Sequence, residues 1–62
     1  MLNYKEFAAL SGKVAQIADQ VKPEEGDSTK HSQSMAVYHL RSAAKLLREI
    51  GEFKASKEGV EA

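Results

Sequence analysis

On either side of the chain's single proline, Pro23, apolar residues recur at spacings of 3 and 4, and this pattern restricts the fold more than anything else in the sequence. Before the proline they are Phe7, Leu10, Val14, Ile17 and Val21, a narrow seam of the kind a helix turns toward one neighbour. After it, one seam reads Ala36, Leu40, Ala43, Leu47 and Ile50, and a second stripe reads Met35, His39, Ser42, Leu46 and Phe53. One seam pairs the second helix with the first. The second asks for a further helix, unless the two stripes form one wide face against the first.

Local signals set the ends. Asn3 caps, and Glu6 stands three residues on, where it reaches back to the cap backbone; Leu2 and Phe7 are placed for a hydrophobic staple. Gly12 weakens the first helix or admits a close neighbour. Lys22-Pro23 ends it, because proline disfavours helical backbone in the residue before it. Pro23-Glu24-Glu25-Gly26-Asp27 is a connection of the length that joins antiparallel neighbours, and Asp27 or Ser28 caps the second helix. Small residues at Ala36, Ala43 and Ala44 favour close packing. The expectation is an all-α chain: a two-helix antiparallel hairpin over 1–55, with helices at about 4–21 and 29–53, a loop at 22–28 and a flexible tail at 56–62.

A chain of 62 residues buries little of its surface, and it has no cysteine with which to staple itself. Assembly into a homo-oligomeric helical bundle, a dimer or tetramer of hairpins, is the remaining route to stability. Neither a signal-peptide pattern nor an apolar run of membrane-spanning length is present, so a soluble, cytoplasmic protein without a membrane partner is expected. No cofactor is implied.

Catalysis is not expected. There is no nucleophile elbow, glycine-rich phosphate loop or HExxH. Charge is more informative. Net charge is zero, yet residues 28–48 hold Lys30, Arg41, Lys45 and Arg48, two histidines and no acid. At about 100° per residue, Ser34, Tyr38, Arg41, Lys45, Arg48 and Glu52 share one side of the second helix. An aromatic ring beside cations offers a stacking surface and charge to a nucleobase and its phosphate. Tyr4 and Lys5 repeat the pair at the first turn, where backbone N–H groups also favour anions. Each has a plainer reading: a surface tyrosine, a Lys45–Glu49 pair along the helix, a hydrogen-bonded interface histidine at His39.

Residues 36–50, AVYHLRSAAKLLREI, resemble the second helix of small phage anti-CBASS sponge proteins, and Tyr4-Lys5-Glu6-Phe7 is similar to the start of their first helix. The resemblance implies an oligomeric helical protein that sequesters a cyclic (di)nucleotide immune signal without cleaving it, inside an infected bacterium. It also implies Tyr4, Lys5, His39 and Arg48 as ligand-binding residues. Two alternatives stay open: an inhibitor that docks on a protein partner, and a hairpin regulator of RNA or DNA, against which the zero net charge weighs.

Overall fold

The computed structural model describes residues 2–59. Two α-helices, α1 (Tyr4–Gln20) and α2 (Lys30–Lys57), pack along each other as an antiparallel hairpin, and the described residues contain no strand. Among them, no helix is long and apolar enough to cross a membrane.

The start of α1 is the one its sequence encodes. The Glu6 N–H donates to Asn3 Oδ1 at 2.9 Å, and the Asn3 N–H donates to Glu6 Oε1 at 3.1 Å, so two otherwise orphaned donors are satisfied. At the other end Val21 turns extended, two residues ahead of Pro23, and its N–H donates to the Ala18 carbonyl. The connection then makes a tight turn over Glu24–Asp27, closed by the Asp27 N–H on the Glu24 carbonyl at 3.3 Å. Gly26 takes the positive φ of 86° that this turn requires. An ion pair between Lys30 and Glu25 ties the turn to α2.

The cap of α2 differs from the expectation. Thr29 occupies the N-cap and its side chain makes no cap bond. Asp27 serves from two residues upstream: its Oδ1 accepts from the Thr29 N–H at 2.7 Å and from the Thr29 hydroxyl at 2.6 Å. The far end also differs. α2 runs through Lys57 rather than stopping at Phe53, so Ser56 and Lys57 of the expected tail are helical, and Val60–Ala62 lie outside the described residues. The cause is Ala55, which is 0% exposed and packs into the hairpin; Lys54 reaches over the Phe7 ring at 5.9 Å.

The two helices meet through small residues. Ala18, Ala44, Gly51 and Ala55 are buried, while Phe7, Leu10, Val14, Val37, Leu40 and Leu47 are half-buried around them. The helices come close at Gly51: a methyl group there would stand 3.3 Å from both the Tyr4 carbonyl oxygen and Phe7 Cβ. Gly12, by contrast, faces open space, so it admits no neighbour.

This contact corrects the expected seam by one residue. α2 turns Val37, Leu40, Ala44, Leu47 and Gly51 toward α1, not Ala36, Leu40, Ala43, Leu47 and Ile50. Ala36, Ala43 and Ile50 are exposed instead, and so is Ile17 on α1. Two helices alone pack closest where side chains are smallest, and larger residues beside the contact are left outside. The alternative of one wide stripe against α1 is thereby removed for the isolated hairpin.

Candidate functional site

The register of the hairpin decides which polar residues can act together. Ser11 and Ala15 of α1 lie on one flank of the helix pair, beside Arg41, Ala44, Lys45 and Arg48 of α2, and together they line an open cleft of about 190 Å³. The Ser11 hydroxyl donates to the Ala44 carbonyl at 2.7 Å, which fixes the two helices at this level. Arg41, Lys45 and Arg48 follow one another at spacings of 4 and 3, one turn apart, so their charges converge on the cleft mouth.

The three cations are not equivalent. Arg41 donates to Asp19 Oδ1 at 2.8 Å, with both side chains exposed, so part of its charge is answered from α1. Lys45 and Arg48 hold no hydrogen bond or ion pair among the described residues, and the Lys45–Glu49 pair is not formed. Two donors with no fixed partner and one partly neutralised guanidinium can receive a phosphate or carboxylate: arginine with two parallel hydrogen bonds, lysine as a point charge.

The remaining candidates spread along the molecule. Ser34 and Tyr38 occupy the same flank of α2, nearer the loop, and both are exposed. Tyr38 is 63% exposed and stands one turn from Arg41, where its ring can stack on a planar group. His39 lies on the other side of α2, with its ring meeting Tyr38 edge-on at 5.4 Å. Tyr4 and Lys5 sit at the opposite end of the hairpin. Tyr4 packs beside Gly51, thirteen residues beyond Tyr38 on α2, which amounts to about 20 Å of helix. Lys5 Nζ lies 6.0 Å from the Tyr4 ring centre, a contact within the first turn. One chain therefore gathers Arg41, Lys45 and Arg48, sets Ser34 and Tyr38 beside them, and leaves Tyr4, Lys5 and His39 apart.

Ser11 and Ala15 line the cleft, and Asp19 holds Arg41 at its edge, although no functional pattern marks the three in the sequence. Their common spacing of 4 puts them on one face of α1, but only the register shows that this face meets the cations. Among the described residues, no three histidine, aspartate or glutamate side chains come close enough to hold a metal ion. The chain matches no protein family, no curated protein and no solved structure.

Proposed function

We propose that this protein is a non-enzymatic helical-hairpin oligomer that captures a phosphate-bearing nucleotide, of the cyclic dinucleotide class, and holds it without chemical change. The observation that carries this reading is the cleft of Arg41, Lys45 and Arg48 beside the exposed ring of Tyr38. Such a ligand brings a phosphate for the cations and a base for the ring. The cleft is small and open, so a phosphate and its sugar occupy it while a base lies along α2 toward Tyr38. The resemblance of residues 36–50 to the sponge proteins points the same way, and the source of the signal in that case is bacterial immunity.

Calorimetric titration with a panel of cyclic dinucleotides, with mononucleotides and inorganic phosphate as controls, tests the reading. We expect saturable binding of at least one cyclic dinucleotide, unchanged ligand after incubation, and at least tenfold weaker binding in the Lys45→Ala/Arg48→Ala variant. No heat and no thermal shift with any member of the panel would overturn it.

A further inference from the structure

α2 carries more apolar surface than α1 covers. On the flank away from Arg41 and Arg48, Ala36, His39, Ala43, Leu46, Ile50 and Phe53 recur at spacings of 3, 4, 3, 4 and 3, and all six are exposed. Leu46 is 59% exposed and Phe53 63%. An unbroken alternation of 3 and 4 over nearly three heptads is the pattern of a two-stranded coiled-coil seam. The surface area agrees. The chain exposes 4831 Å², against about 4,000 Å² for a compact monomer of 6.8 kDa. The surplus belongs to the elongated shape as a whole, and this open apolar flank is part of it.

We infer that this seam pairs with the same seam of a second copy, antiparallel, about a two-fold axis between Ala43 and Leu46. The residues themselves select that arrangement. In this register Ala36 faces the partner's Phe53, His39 faces the partner's Ile50, and Ala43 faces the partner's Leu46. Every small or polar position meets a large apolar one, so the seam is complementary to its own reverse, as an isologous contact requires. A parallel pair would set Phe53 on the partner's Phe53 and Ala36 on the partner's Ala36. That contact is overfilled at one end and empty at the other. At the solvent edge of the seam, Glu49 falls beside the partner's Ser42, so like charges do not meet.

The inference rests on the oligomer of the proposed function and is independent of its ligand. Arg41, Lys45 and Arg48 stand on the flank of α2 turned away from the seam, so pairing leaves both clefts open and each copy builds its own.

The natural chain lacks cysteine, which makes crosslinking clean. Ala36→Cys and Phe53→Cys variants are mixed and oxidised without nucleotide, and Ser42→Cys is mixed with Glu49→Cys to keep the seam itself intact. We expect crosslinks between the two different variants well above the half that random pairing gives. Two copies of residue 36 stand about 25 Å apart in this register and should crosslink little. Predominant same-position crosslinks overturn the antiparallel register. Monomeric sedimentation of the unmodified chain overturns the interface, and so does a dimer that crosslinks at neither pair of positions. Failure of every nucleotide to bind leaves these outcomes untouched, which separates this inference from the ligand reading.

Discussion

Asp27 shows how a side chain outside a helix fixes where the helix begins. The Thr29 hydroxyl, and then the Thr29 N–H, donate to its carboxylate and hold its pKa below the usual carboxylate value. A group whose folded pKa is lowered contributes stability above its ordinary pKa, and that contribution is lost as pH falls through the lowered value. Thermal melts should therefore separate the natural chain from Asp27→Asn at neutral pH, and the difference should vanish in acid. A gap that persists in acid would remove the charge from the explanation. Arg41 and Asp19 make a contrasting case. An exposed ion pair is worth about 0–1 kcal/mol. Asp19→Asn should then leave the melting temperature almost unchanged while freeing Arg41, so that any phosphate-bearing ligand of the cleft binds more tightly in the same calorimetric titration.

At the scale of elements, the two helices were largely legible in the sequence. Asn3 and Glu6 announce α1, and Pro23 ends it, because caps and breakers act on their immediate neighbours. The phase of α2 was not legible. Ala43 and Ala44 are chemically identical, and Ile50 is a more obvious core residue than Gly51, yet the helices close on Ala44 and Gly51. What decides between them is the approach distance of a second helix, a quantity that one helix's pattern does not contain. The cleft obeys the same rule: Arg41, Lys45 and Arg48 were readable as a stripe on α2, whereas its wall of Ser11 and Ala15, and the Asp19 partner of Arg41, required the register. Two glycines test this account in opposite directions. Gly12→Ala should stabilise the hairpin by about 0.5–1 kcal/mol, since it raises helix propensity in open space. Gly51→Val should destabilise it by about 1–3 kcal/mol, since its side chain meets the Tyr4 carbonyl and Phe7. Both are read from chemical denaturation monitored by circular dichroism.

The whole molecule is a rod of 50 × 19 × 13 Å whose buried apolar side chains, among the described residues, are three alanines. So thin a core leaves a hairpin of this length marginal on its own. Stability should therefore rise with protein concentration, and melting temperatures measured across a wide dilution series should climb together with assembly. The same shape divides the labour of α2 among its faces: one turned to α1, one apolar and open, one cationic and open. On the proposed reading the apolar face assembles the protein and the cationic face, left free, takes the ligand. Native mass spectrometry with and without a cyclic dinucleotide tests it most directly. Dimers or multiples of dimers are expected in both samples, with one ligand bound per chain in the second. A monomer that takes up no ligand would contradict it.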